Sequence, residues 1–434
     1  MFPAPFFLIL LIVTTPVALI FDGPIIHSLV AAAVSVSVAI VAIRIRPGEA
    51  SFLAIVIRPV IVVAAVPALW MLVQVLPLKT VGLAHPIWES VATALGRPLA
   101  GSISIDPGDT LISLVRYLST AAIAFVAAAV AIDRRRAEWI LVALTVATTL
   151  IALMVLPAGL GGLTFLNNSH SGPGANAAID SEALGVILAL VTALHMFERR
   201  KIQRTDRGGL TVWFWSVFVT CLMALVICAF ALIVSATSQA YFSVACGVAT
   251  LIVAVVIRRF NFGPWGYLAI ISITLLVAIA AIALRSGSRT VDLTVAFATH
   301  VPAPLIAITQ RALMETNWAG TGAGTFAAVL PIYRDIDELA AGPMAPTAAA
   351  AIAVEMGRPF LWANVMAAIA LAVALLRASV RRGRDYLYST AGASCIVTIT
   401  PLAFGNAGLL STPVSIIAIA VIGIAIGQSK SRSI

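Results

Sequence analysis

Residues 117–156 read "YLSTAAIAFVAAAVAIDRRRAEWILVALTVATTLIALMVL", two apolar runs divided by an Asp-Arg-Arg-Arg turn. Each run is close to the roughly 20 residues that cross a bilayer as a helix. The same alternation of apolar run and short turn recurs along the chain. Of its 434 residues, 61% are hydrophobic and only 10% charged, which lies well outside the composition of soluble globular domains. The sequence therefore predicts an all-α polytopic membrane protein.

The roughly 20-residue criterion yields about twelve spans, at 4–21, 25–43, 51–76, 110–132, 138–156, 182–197, 212–234, 239–257, 266–284, 359–376, 386–404 and 412–428. The stretch "PFFLILLIVTTPVALIF" lacks a basic region before it and a small-residue cleavage site after it, so it is expected to be the first span rather than a removed signal.

Lys and Arg beside short loops stay in the cytoplasm. Eighteen of the 27 basic residues cluster in alternate loops and the C-terminal tail: Arg44 and Arg46, Arg134 to Arg136, the group from Arg199 to Arg207, Arg258 and Arg259, the group from Arg377 to Arg384, and Lys430 with Arg432. The expected orientation puts both termini in the cytoplasm and the long loops on the other side of the membrane. The net charge of +9 is then mostly a topology signal. Basic residues spread over six short pieces form no nucleic-acid patch.

Cys221, Cys228, Cys246 and Cys395 all lie within apolar runs without paired spacing, and read as small core residues rather than a zinc or disulfide framework. Gly423 and Gly427 have the spacing of a helix-packing pair.

Three outer segments exceed simple turns: 77–109, 157–181 and 285–358. The chain divides accordingly into spans one to nine (1–284), a large periplasmic loop (285–358) and spans ten to twelve with a basic tail (359–434). Within the large loop, Leu305, Ile308, Ala312 and Leu313 recur at helical spacing, and "APTAAAAIAVEMGRP" is an Ala-rich helix stopped by Gly357 and Pro359. Interfacial helices joined by a turn across the outer membrane surface are the expected arrangement between spans nine and ten.

That turn is "NWAGTGAGTF", residues 317–326. It has no Lys-Ser/Thr ending and follows no strand, so it is not a P-loop. Gly320, Gly322 and Gly324 either let the backbone approach a phosphate or simply make a tight turn. Arg116 stands within a span, where arginine points to a phosphate or carboxylate partner or else snorkels to the interface. Arg58 reads as snorkelling. Asp335, Asp337 and Glu338 form an acidic cluster without metal-loop spacing, and His85, His170 and His300 are isolated outer-loop bases.

Several stretches carry a resemblance: "HPIWESVATALGRPLAGSISIDPGDTLISLVRYLS" (85–119), "GANAAIDSEALGVILAL", "LIVSATSQAYFSVACG", and "ALMETNWAGTGAGTFAAVLPIY" followed by "APTAAAAIAVEMG". Together they resemble the O-antigen ligase and O-antigen polymerase superfamily, GT-C type inner-membrane glycosyltransferases. The resemblance implies surface-polysaccharide assembly, of lipopolysaccharide or exopolysaccharide, from an undecaprenyl-pyrophosphate-linked oligosaccharide. The sugar would pass to a glycan or lipid acceptor with no metal or nucleotide cofactor. Other membrane proteins of the same assembly are possible partners.

The chain departs from the family pattern at three positions. Gln239 stands where an Arg is usual, Pro302 about where a second Arg precedes the turn, and Pro346 where a His is expected. The resemblance then leaves His300 and Glu355 as candidate catalytic residues, and Arg116, Gln239, Arg289, Arg311, Gly320, Gly322 and Gly324 as candidate substrate-binding residues. Three functions are open: a lipid-linked glycan ligase or polymerase, a catalytically degenerate relative that binds such a glycan or scaffolds a partner, and a transporter. Large outer loops and few charges within spans speak against the transporter.

Overall fold

The computed structural model describes residues 3–21, 23–77, 82–159, 173–203, 211–235, 237–260, 292–298, 301–334, 344–382 and 385–430. Among the described residues the regular elements are helices, apart from one isolated bridge between Pro77 and Ser102. The first ten are α1 (Pro3–Val13), α2 (Thr15–Ile20), α3 (Pro24–Arg44), α4 (Pro47–Val75), α5 (Ile87–Leu95), α6 (Pro107–Val130), α7 (Arg134–Gly159), α8 (Pro173–Gln203), α9 (Thr211–Ser235) and α10 (Ser238–Phe260). Then follow α11 (Leu293–Ala296), α12 (Ala303–Glu315), α13 (Phe326–Val329) running into the 3₁₀ turn Leu330–Tyr333, α14 (Ala348–Glu355), α15 (Arg358–Arg381), α16 (Tyr386–Gly405), the 3₁₀ turn Gly408–Leu410, and α17 (Thr412–Gly427).

Among the described residues nine helices are long and apolar enough to cross a membrane: α3, α4, α6, α7, α8, α9, α10, α15 and α16. The α1–α2 stretch and α17 are apolar but shorter. The expected span at 266–284 lies outside the described residues. The chain is a polytopic membrane protein.

Helix α8 is the axis of the bundle. Of its apolar window 83% is buried, against 17% for α3 and α15, because α8 is enclosed by α7, α9, α10, α16 and α17. A helix apolar on every side fits that position. Ile187, Leu188 and Val191 of α8 join one core with Ile140, Leu144, Tyr388, Ile417 and Ile424. Helix α17 lies directly on α6: a Cβ on Gly423 would come within 2.6 Å of the Ala124 carbonyl. The spaced glycine pair thus serves packing inside the chain. All four cysteines are free thiols, and Cys228 and Cys395 are fully buried core residues.

The ends of α4, α8 and α16 that carry Gln74, Asp180 and Asn406 share one side of the bundle with the start of α6, hereafter the loop face. There α6 opens on "IDPGDT" as the sequence dictates. Asp106 accepts the amides of Gly108 and Asp109, and Pro107 occupies the first helical position, where no amide is missed.

A second, smaller core covers this face. Val295, Leu305, Ile308, Leu313, Phe326, Leu330 and Val354 bring α11 to α14 together. The expected helices of the large loop are present as α12 and α14, with α13 and its 3₁₀ turn between them. Helix α14 does not lie on a surface: Ala348 to Ala351, Ala353 and Val354 are all buried. Alanine is small enough to let α11, α12, α15 and α16 close around it. Thr347 caps α14 by accepting the Ala350 amide at 3.0 Å, and donates its hydroxyl to the Thr294 carbonyl at 2.6 Å. Gly357 and Pro359 stop α14 and also launch α15.

Candidate functional site

Gly320, Gly322 and Gly324 all adopt positive φ, at 79°, 110° and 80°, a region that favours glycine. Their turn wraps around the end of α14. The Gly320 amide donates to the Asn317 carbonyl, Thr321 to Val354 and Gly322 to Glu355, each at 3.0 Å, and Thr325 donates back to Gly322. The Ala323 amide donates to Oε1 of Gln74 at 3.2 Å, and the Gly324 and Phe326 amides donate to the Glu355 carboxylate.

Every amide from 320 to 326 is therefore engaged within the chain. None is left for a bound phosphate, and the acceptor held in the turn is the Glu355 carboxyl. Burial pushes the Glu355 carboxyl up to about 7, despite the opposing bonds from the Gly324 and Phe326 amides and with a further push from Asp109.

Gln74 is the other half of this clamp. It is fully buried in the last turn of α4, and its Nε2 donates to the carbonyls of Ala319 at 3.0 Å and Glu355 at 2.9 Å. Its backbone carbonyl accepts the Ser104 amide, and Ile105 donates to Thr321, so 102–105 is laced to the same turn. Trp70 adds a bond from its indole nitrogen to the Met356 carbonyl at 3.2 Å. The glycine turn joins α4, α6 and α14 into one unit.

Among the described residues, the other predicted site residues do not gather at this turn. Arg289 and His300 lie outside the described residues, as do His170 and the acidic group Asp335, Asp337 and Glu338. Arg311 is on the exposed side of α12. Arg116 projects from the exposed side of α6, and donates to Nδ1 of His27 on α3 at 2.8 Å. Gln239 points inward instead, 7% exposed, with its amide committed to the Pro401 carbonyl at 3.0 Å. Pro302 precedes the first turn of α12 and Pro346 precedes the cap of α14.

The sequence reading missed the most polar feature of the loop face. It placed Asp180 in an outer loop and Glu182 at the start of a span, whereas α8 begins at Pro173. Both residues are thus about two turns inside the helix, and both are 0% exposed. The correction follows from capping: "PGANAA" opens the helix with a proline, ahead of its first apolar run.

Asp180 accepts from Nδ2 of Asn406 at 2.8 Å through Oδ1, while Oδ2 has no partner among the described residues. Glu182 accepts from the Ser235 hydroxyl at 2.6 Å through Oε2, while Oε1 has none among the described residues. Two residues apart on a helix, they face opposite ways, Asp180 toward the end of α16 and Glu182 toward α9. Asn406 also accepts the Gly408 amide on Oδ1 and the Ala348 amide on its carbonyl. Position 348 directly follows Pro346 and Thr347, so this centre adjoins the start of α14. The signal in the sequence was a pair of carboxylates abutting an apolar run, and such residues are functional candidates by default.

A shallow pocket of about 90 Å³ lies farther out, lined by His85, Trp88, Glu89 and Leu99. His85 accepts the Ile87 amide on Nδ1, and burial lowers its affinity for a second proton. It offers an aromatic face beside hydrogen-bonding groups.

At the opposite end of the bundle, the basic residues that suggest orientation are also structural ties. Arg134 pairs with Asp385 at 2.8 Å and Arg199 pairs with Glu138. Arg258 stacks 3.8 Å over the Tyr386 ring and donates to the Arg382 carbonyl, and Arg382 donates to Gln428 at 2.8 Å. His195 and Tyr388 meet at 3.3 Å within the core.

No protein-family model matches the chain, and no curated protein matches it significantly.

Proposed function

We propose that this chain is a membrane component of bacterial surface-polysaccharide assembly that binds a lipid-linked glycan, or scaffolds the proteins that handle it, without transferring sugar itself. In this reading about twelve spans cross the inner membrane, both termini are cytoplasmic, and the segment from 285 to 358 is periplasmic. The ligand is an oligosaccharide on undecaprenyl pyrophosphate. The likeness of 85–119 and of the glycine turn to the O-antigen ligase and polymerase superfamily motivates the polysaccharide context.

One observation carries the choice of binding over transfer: Glu355 and Gln74 already occupy the donors and acceptors of the glycine turn. Transfer from a lipid pyrophosphate depends on preorganised donors or cations facing the leaving group. Gln239, tied to Pro401, is neutral and cannot supply a cation.

The test uses the full chain in lipid nanodiscs with an undecaprenyl-pyrophosphate-linked oligosaccharide and a glycan acceptor. Retention of the donor with no elongated or transferred product is expected. Product formation above that of empty nanodiscs would overturn the reading. Transfer remains a second reading because, among the described residues, Asp180 and Glu182 each keep a buried carboxyl oxygen without a hydrogen-bond partner near the loop face.

A further inference from the structure

We propose that Arg116 and His27 form a membrane-facing site for the phosphate of a lipid headgroup. Arg116 is nine residues into α6, so its backbone lies about 13 Å below the start of that helix. It shares the exposed side of α6 with Ile112 and Val115, each 55% exposed. On α3, whose apolar window is only 17% buried, His27 is partly exposed, and Ile25 and Leu29 on the other side of the helix are 75% and 60% exposed. Exposed aliphatic residues on two membrane-crossing helices mark a surface turned to hydrocarbon, and an arginine there is costly unless its head group reaches the interface or an anion.

The geometry shows where the head group goes. It reaches Nδ1 of His27, which stands in the first turn of α3. That level is the end of a membrane-crossing helix, where lipid phosphates lie. Arginine only donates, so His27 accepts on Nδ1. The imidazole thereby fixes the guanidinium in place, and the planar fork presents its remaining N–H groups in the arrangement that binds phosphate oxygens bidentately.

The ligand class is a lipid whose phosphate sits at the interface, either a polyprenyl phosphate or a bulk phospholipid. The site requires only that chemistry, so it stands or falls independently of the glycan reading.

The experiment is native mass spectrometry of the full chain in detergent, titrated separately with farnesyl monophosphate, farnesol and phosphatidylglycerol. Arg116→Gln is expected to lose about tenfold in retention of a phosphate lipid, as expected for a lost charge-assisted pair, with farnesol unchanged and Arg116→Lys recovering only part of the binding because an ammonium lacks the bidentate fork. Loss confined to farnesyl monophosphate identifies a polyprenyl carrier, and equal loss of both phosphate lipids identifies a general headgroup site. Unchanged retention of both phosphate lipids, or an equal loss of farnesol, overturns the proposal. If Arg116→Gln fails to fold, His27→Gln serves: a loss of phosphate lipid of about threefold supports the site, and wild-type retention rejects it.

Discussion

Nε2 of Gln74, at the end of α4, donates to the backbone carbonyl of Glu355 at 2.9 Å, across 281 positions of sequence. With Oε1 receiving the Ala323 amide, this one side chain spans both sides of the glycine turn. The loop-face core is fastened to the membrane bundle at this point.

Gln74→Leu should therefore destabilise far more than an average surface substitution. It strips the partner from the buried Ala319 carbonyl and Ala323 amide, at about 1–3 kcal/mol for each group left unsatisfied, and leaves the Glu355 carbonyl with the Gly322 amide alone. Thermal unfolding in detergent should show a large drop. A midpoint within a degree or two of wild type would mean that the clamp carries little of the stability.

Gly320→Ala and Gly96→Ala separate steric contact from backbone strain. Both glycines have positive φ, but a Cβ at Gly320 would collide with the Glu355 carbonyl, whereas one at Gly96 has nothing within 4 Å. Gly96→Ala should cost about 1–2 kcal/mol, the price of the left-handed conformation alone. Gly320→Ala should cost clearly more, because either the turn or the end of α14 must move. Equal losses in parallel denaturation curves would contradict this account.

Glu355 makes stability depend on pH in a defined direction. Its folded-state value of about 7 lies above the ordinary 4.5, so the folded state binds the proton more tightly than the unfolded chain. That contribution is complete below pH 4.5 and is lost as pH rises to 7 and beyond, by an amount on the order of 3 kcal/mol at most. Glu355→Gln should flatten stability between pH 5 and 8 relative to wild type. A variant that keeps the full wild-type slope would place the titration elsewhere.

Gln239→Arg tests whether an arginine, the residue that the resemblance would lead one to expect here, is excluded by packing. Gln239 is buried against Gly405, whose lack of a side chain leaves the space its amide occupies. The longer, charged side chain should overpack this junction and cost about 1–3 kcal/mol before any penalty for burying charge. Reduced thermal stability without acquired transfer activity is expected. Wild-type stability together with transfer would show that this centre retains the geometry of an enzyme.

Legibility in the sequence followed the range of the interaction. The helical spacing of Leu305, Ile308 and Leu313 and the turn at Gly320 to Gly324 rest on neighbours within a few residues, and could be read directly. The expected span starts at 110 and 182 fall inside α6 and α8, which begin at Pro107 and Pro173, so Asp180 lies within a helix rather than in a loop. Length and hydropathy place a boundary where apolarity begins, but the helix itself begins where a proline can start it.

By itself, the sequence determined a helical membrane protein. Hydrocarbon leaves no water to satisfy backbone groups, so long apolar runs must be helices whatever surrounds them. It also determined that residues 317–326 must turn through conformations reserved for glycine. Only the tertiary structure decided what that turn is for. A glycine turn has amides to offer, and whether they meet a phosphate or Gln74 and Glu355 depends on residues hundreds of positions away that chain folding brings into contact. The same holds for Arg116, which sequence left between substrate and interface until the arrangement of α3 beside α6 put His27 within its reach.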